Sequence, residues 1–329
     1  MTHLITIEAP ICFCVSIPRL NVQRQSATAL LAIPADAWRL CCRSSTKETI
    51  VKRSPLRRHV ETSHGVISVQ DNQRPGTPLV MVHGNSSCGA VFGRQWQGSL
   101  ADNLRLISLD LPGHGSSANA LDPKRTYTLP GLASAVTEVL GSLGIDEAVL
   151  MGWSLGGHVA IEMIGLFPGL QGLIITGTPP IRRNGFAEGF LANPAKLPAA
   201  KRDLSADDIE AFARAMFGEP VEPFLRAAIV RSDGKFRERL FAAAKAGAGI
   251  DQREAVERMT VPIAVINGSR DPLVNLAYVD SVPFGRLWGG KCHRLAGEGH
   301  APFWHSAPAY DALVADFMAD LSGRLSRVA

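Results

Sequence analysis

Cysteine is scarce and poorly placed for structural work. Of six, Cys12, Cys14, Cys41 and Cys42 precede residue 58, leaving Cys88 and Cys292 for the rest of the chain. No C-x-x-C pair occurs, so neither a zinc site nor a disulfide framework is expected. Reduced thiols in a cytoplasmic protein are the simplest account. Long apolar runs are missing too: none reaches the roughly 18 residues a membrane-spanning helix needs. Nor is there a large excess of charge. The net +4 divides unevenly, with nine Lys and Arg against three Asp and Glu in residues 1–58, and 25 against 27 beyond. A body that is nearly neutral offers nucleic acid or an acidic membrane no electrostatic footing, so neither is expected as a partner.

What is present is ordinary for a globular enzyme: 46% hydrophobic and 19% charged residues in 329. That length suits one large α/β domain with insertions, or two smaller domains. Residues 1–57 read differently, being rich in Ala, Ser, Arg and Cys and broken by Pro10, Pro18 and Pro34. A secretory signal is disfavoured, because no Lys or Arg precedes the apolar stretch and Glu8 interrupts it. The expectation is a disordered extension, or an upstream stretch included by an early start. A transit peptide and a structured regulatory domain are the alternatives.

From residue 58 the pattern becomes regular. His59–Thr62 and Val66–Val69 flank His64-Gly65 as a hairpin. Apolar runs at 78–82, 104–109, 148–151, 172–176 and 261–266 alternate with helical spacing at 129–143 and 155–167. Such runs, buried on both faces, imply a mostly parallel central sheet flanked by helices, with ligands at the edge where the strands end. Between 178 and 250 the alternation stops, and helix-like stretches appear around 207–217, 223–232 and 236–246. This segment is expected to be a helical cap, with 58–177 and 251–329 forming the core.

The chemistry-bearing motif is Gly152-Trp153-Ser154-Leu155-Gly156, between a strand and a helix. Strand, G-x-S-x-G, helix is the pattern of a nucleophile elbow, a turn so sharp that side chains at 152 and 156 would collide. Serine needs a base, and the base needs an orienting acid. In this chain order the acid follows a later strand, which selects Asp271 in Asn267–Pro272 over Asp280 and Glu298. His300, flanked by Gly297 and Gly299, is the expected base, ahead of His293 and His305. Backbone N–H groups of Leu155 and Asn85 are expected to form the oxyanion hole. His83, His114 and His158 are read as structural. Gly84, Trp153, Phe212 and Phe217 are expected to contact substrate, with Phe186, Phe190 and Phe224 as further candidates for an acyl tail.

With these pieces assembled, residues 58–322 resemble the α/β-hydrolase fold family. The stretches that carry the resemblance are 83–85, Asp110–Ser116, Gly152–His158 and Gly299–Phe303. Finer features at His83–Ser87, Gly172–Pro180, Phe217–Pro220 and Phe284–Trp288 are similar to the α/β-hydrolase-type N-acyl-homoserine lactonases. That resemblance implies ring opening of bacterial quorum-sensing lactones with no metal and no other cofactor, a small-molecule ester or lactone being the partner. The other large class of such lactonases carries an H-x-H-x-D-H metal motif, and no H-x-H occurs here. Two positions depart from the family's pattern. Its acid loop reads closer to Gly-Arg-Asp-Glu-Pro, where this chain has Gly-Ser-Arg-Asp-Pro, and Phe212 stands where a tyrosine is expected. The rival readings are a general carboxylesterase, a carbon–carbon bond hydrolase, and a non-catalytic receptor on the same fold.

Overall fold

The computed structural model describes residues 55–183, 185–191 and 198–328, side chains of 324–328 excepted. Of the N-terminal extension expected at 1–57, residues 1–54 lie outside the described residues. The folded body begins slightly before the boundary read from the sequence, because strand β1 spans Leu56–Thr62.

The strands that follow are β2 (Gly65–Asp71), β3 (Leu79–Val82), β4 (Leu106–Leu109), β5 (Ala148–Trp153), β6 (Leu170–Thr176), β7 (Ile263–Gly268) and β8 (His293–Leu295). Among the described residues they form one sheet in the order β1-β2-β4-β3-β5-β6-β7-β8. The hairpin β1–β2 and the β2–β4 pair are antiparallel, and every other pairing is parallel. The central strands are buried along their whole length, as the continuous apolar runs require.

Two cores lie on the two faces of this sheet, sorted by the period-two alternation of each strand. Val80, Val82, Leu150, Leu173, Ile175 and Val265 pack with Leu132, Val136 and Val139 of the helix Leu129–Ser142 and with Val159 after the elbow. On the opposite face Leu79, Met81, Val149, Met151, Ile174 and Ile266 pack with Tyr310, Val314 and Phe317 of the helix Ala307–Val328. Each fully buried aliphatic side chain contributes roughly 1.5–3 kcal/mol.

Strand boundaries differ from the sequence reading at two places. The run read from 104 pairs only from Leu106, and the run read as 261–266 is paired from Ile263 to Gly268. Pro262 has no N–H to give the ladder, while Asn267 and Gly268, polar or small enough to pass for loop, pair with β8.

Between β6 and β7 the described chain carries helices Phe186–Gly189, Ala206–Phe217, Pro223–Arg231 and Gly234–Lys245, followed by Gln252–Glu257. Ala206–Phe217 begins at a capping box in which Ser205 and Asp208 satisfy each other's backbone N–H. Its apolar face, Phe212, Ala213, Met216 and Phe217, is buried.

Candidate active site

β5 runs into the helix Leu155–Glu162 through a single residue, Ser154, whose backbone lies at φ 53° and ψ −118°. A non-glycine residue held at positive φ costs on the order of 1–3 kcal/mol, which the surrounding structure must offset. The flanks show how the turn is enforced. A Cβ at Gly152 would lie 2.3 Å from the Gly156 carbonyl oxygen, and one at Gly156 would lie 2.0 Å from that of Val82. No side chain fits at either position. Thr178 adds a brace, its Oγ1 donating to the Ser154 carbonyl at 2.8 Å. The serine hydroxyl is thereby held at the carboxyl end of the sheet, partly exposed.

His300 and Asp271 meet beside it. Asp271 follows β7 and His300 follows β8, two neighbouring parallel strands, so both loops emerge at the same sheet edge. His300 Nδ1 lies 2.8 Å from Asp271 Oδ2, with both side chains almost wholly buried. Burial pushes the Asp271 carboxyl up, but the facing imidazole and N–H donation from Leu273 and Val274 outweigh it, so its pKa falls below the ordinary value. The anionic carboxylate therefore fixes the proton of His300 on Nδ1 and leaves Nε2 as the free acceptor. His300 Nε2 is buried without a hydrogen-bond partner. No hydrogen bond joins it to Ser154 Oγ in this structure, although both side chains line one cavity; such contacts often tighten only with substrate bound.

The competing acids and bases are engaged elsewhere. Asp280 accepts from Arg294, and Glu298 accepts from Ser306. His293 stacks on Trp288, and His305 donates to the Phe217 carbonyl.

The N–H groups of Asn85 and Leu155 make no hydrogen bond to another described residue. Leu155 opens a helix, where the first N–H groups have no intrahelical acceptor. The loop bearing Asn85 is pinned by its side chain, whose Nδ2 donates to the Ala199 carbonyl at 3.1 Å. His83 and His114 brace the same loop: His83 Nε2 accepts from Leu111 N–H and His114 Nε2 from Ser86 N–H. A cavity of about 750 Å³ opens over Ser154, Leu155, Asn85 and His300. Its far wall is apolar, with Phe186, Phe190, Phe212, Met216 and Phe241 from the segment between β6 and β7.

A family model described as the alpha/beta hydrolase family matches residues 79–314. The chain belongs to that family. Among solved structures, this hydrolase is similar to the N-acyl homoserine lactonase AidH complexed with N-butanoyl homoserine. The two are 45% identical with a TM-score of 0.79, over 81% of this chain and 97% of that one. A variant of AidH complexed with N-hexanoyl homoserine gives 44% identity and a TM-score of 0.79, over 82% of this chain and 98% of that one. A curated relative from Stenotrophomonas maltophilia (strain R551-3), a pimeloyl-[acyl-carrier protein] methyl ester esterase, is 30% identical over 75% of this chain and 95% of its own length. The protein is accordingly a hydrolytic enzyme with lactonase and esterase relatives.

Within this hydrolase, the residues expected to touch substrate divide. Phe212 lines the cavity, and so do Phe186 and Phe190. Trp153, Gly84, Phe217 and Phe224 do not. Trp153 is 1% exposed and continues the buried row of Val149 and Met151. Its ring packs against Phe217 and Phe303, and its indole N–H donates to the His300 carbonyl at 2.9 Å. It thus holds the loop that carries His300. Gly84 serves the same packing, since a Cβ there would lie 2.9 Å from the Trp153 ring. Phe224 packs on Trp304 instead. The opposite correction applies to His158. Read as structural, it stands in the cavity wall with Ser154 and His300. Its place four residues after Ser154, one helical turn on, was the available signal.

Proposed function

We propose that the protein is a metal-independent serine hydrolase that opens esters and lactones, with N-acyl-homoserine lactones as the principal substrate class. Ser154 attacks the carbonyl while His300 Nε2 takes its proton. Asp271 holds the imidazole tautomer and stabilises the charge that forms. The N–H groups of Asn85 and Leu155 receive the oxyanion. His300 then returns the proton to the leaving alkoxide, leaving an acyl-enzyme on Ser154. In a lactone that alcohol stays tethered to the acyl group, so ring closure competes with water. The segment between β6 and β7 acts as a cap that admits the acyl chain against Phe186, Phe190 and Phe212. One observation carries this reading: the buried His300–Asp271 pair faces the same cavity as a strained, partly exposed serine. The lactone preference draws its support from the likeness to AidH at 45% identity.

A second reading, a carboxylesterase acting on open-chain methyl esters, is favoured by the relative from Stenotrophomonas maltophilia. The deciding experiment incubates purified protein with N-hexanoyl-homoserine lactone and excess chelator while acid release is followed with a pH indicator. Turnover unaffected by chelator supports the proposal. Hydrolysis of open-chain methyl esters without release of acid from the lactone selects the esterase instead.

A further inference from the structure

A chain of buried polar groups runs through this hydrolase and ends at the cavity. Glu162, on the last turn of the elbow helix, accepts from Ile250 N–H through both carboxylate oxygens, at 3.2 and 3.3 Å. Its Oε1 also accepts from Gln252 Nε2 at 3.3 Å, and the same Nε2 donates to the His158 carbonyl at 3.1 Å. With its NH₂ committed to two oxygens, Gln252 must present Oε1 to His158 Nδ1, which lies 2.6 Å away. That contact makes Nδ1 the donor, so in the neutral ring Nε2 is a bare acceptor. Burial, opposed by the Gln252 hydrogen bond and aided by nearby His300, brings the His158 pKa down to about 4, so the ring is neutral at physiological pH.

Buried His83 has both ring nitrogens satisfied by the protein, through the Gly84 carbonyl and the Leu111 N–H. Among the described residues the His158 ring is hydrogen-bonded through Nδ1 alone, and the residue lines the cavity. It follows Ser154 by four residues, about one turn or 6 Å of helix rise, which places it beside the scissile carbonyl rather than at the far end of the acyl tail. The surrounding wall is largely apolar, so a donor on the substrate has few alternative acceptors there.

We infer that His158 is a specificity residue, its Nε2 accepting a hydrogen bond from a donor on the carbon next to the scissile carbonyl, such as the N–H of an α-acylamino group. Glu162 and Gln252 are positioning residues that fix its tautomer. The inference rests on the proposed attack by Ser154 and deepens the proposed substrate class, because an N-acyl-homoserine lactone carries that N–H at that carbon. A neutral ring also avoids opposing the imidazolium that forms at His300 during turnover.

The test uses two substrate pairs, each an N–H compound and its N-methyl counterpart. One pair is N-hexanoyl-homoserine lactone, and the other is the ethyl ester of N-hexanoylglycine. Native protein should prefer the N–H member by about tenfold or more in kcat/KM, the range expected when a buried acceptor loses its donor. His158→Phe should shrink that preference to within about twofold. His158→Gln, which can place a carbonyl oxygen near the Nε2 position, should restore part of it. Gln252→Leu, which frees the tautomer, should give an intermediate value and stands in should His158→Phe not fold. An equal preference in native protein and His158→Phe, or none in native protein, overturns the inference. Failure of both lactones while the open-chain pair still discriminates overturns the lactone reading and supports the acceptor role of His158.

Discussion

Asp271→Asn isolates the contribution of the buried pair without disturbing its surroundings. Asp271 Oδ1 accepts from Leu273 N–H at 2.8 Å and Val274 N–H at 3.1 Å, while Oδ2 faces His300 Nδ1 at 2.8 Å. In the asparagine, the carbonyl oxygen must stay with the two backbone donors. The flipped amide would confront them with its own N–H groups and lose both bonds, at a cost of about 2–3 kcal/mol. The NH₂ therefore turns toward His300 and donates to Nδ1, which drives the ring proton onto Nε2. An imidazole in that tautomer has nothing with which to take the Ser154 proton. If the proposed triad operates, the expected loss in kcat is roughly 10⁴-fold, as for known Ser-His-Asp triads, equivalent to about 5.5 kcal/mol in the barrier. Because the backbone hydrogen bonds survive, Tm should move by no more than about 5 °C. Ester turnover and scanning calorimetry on the same preparation check both halves. A variant with unchanged Tm that keeps more than about a tenth of native turnover would refute the tautomer argument.

Three further outcomes follow from the packing. Gly156→Ala places a Cβ 2.0 Å from the Val82 carbonyl oxygen, so the variant should lose at least about 3 kcal/mol of stability or fail to fold, as chemical denaturation would show. Trp153→Phe keeps most of the ring but removes the donor to the His300 carbonyl. It should cost about 1–3 kcal/mol and reduce kcat more than it changes KM, since Trp153 does not line the cavity. Burial, opposed by donation from Gln95, pushes the Asp311 carboxyl up from 3.8 to about 6. The folded state then holds that proton more tightly than the unfolded chain, so this group's contribution to stability is present below pH 4 and lost as pH rises through 6. Asp311→Asn can still accept from Gln95, so it should stabilise the protein at pH 8, by about 3 kcal/mol at most, with the gain vanishing near pH 4.

The elbow was legible because its motif is short and contiguous. Gly152 is imposed by Gly156 and Gly157 within the same turn, and Gly156 by the Val82 carbonyl of the neighbouring strand β3. The placement of Asp271 and His300 followed from chain order, since each leaves the carboxyl end of a parallel strand. Burial of polar residues was harder to read. Asn267 and Gly268 resemble loop residues, yet they pair with β8, and Asn267 Oδ1 accepts from Gly177 N–H. Trp153 was misjudged because adjacency to Ser154 in sequence suggests adjacency to substrate. Strand alternation argues otherwise, since Val149, Met151 and Trp153 share one face and enter the core with Phe303 and Phe317. Phe217 follows Trp153 into that packing. His158 was obscured because its partner, Gln252, lies 94 residues away, beyond the whole segment between β6 and β7.

The most direct test of the account is to treat native protein and His300→Ala with a serine-directed fluorophosphonate and locate the adduct by peptide mass spectrometry. The account expects one rapid phosphonyl adduct on Ser154 in native protein, and labelling slowed by at least about a hundredfold in the variant, consistent with loss of a general base. An unlabelled Ser154, an adduct on another serine, or equal rates in the two proteins would contradict it.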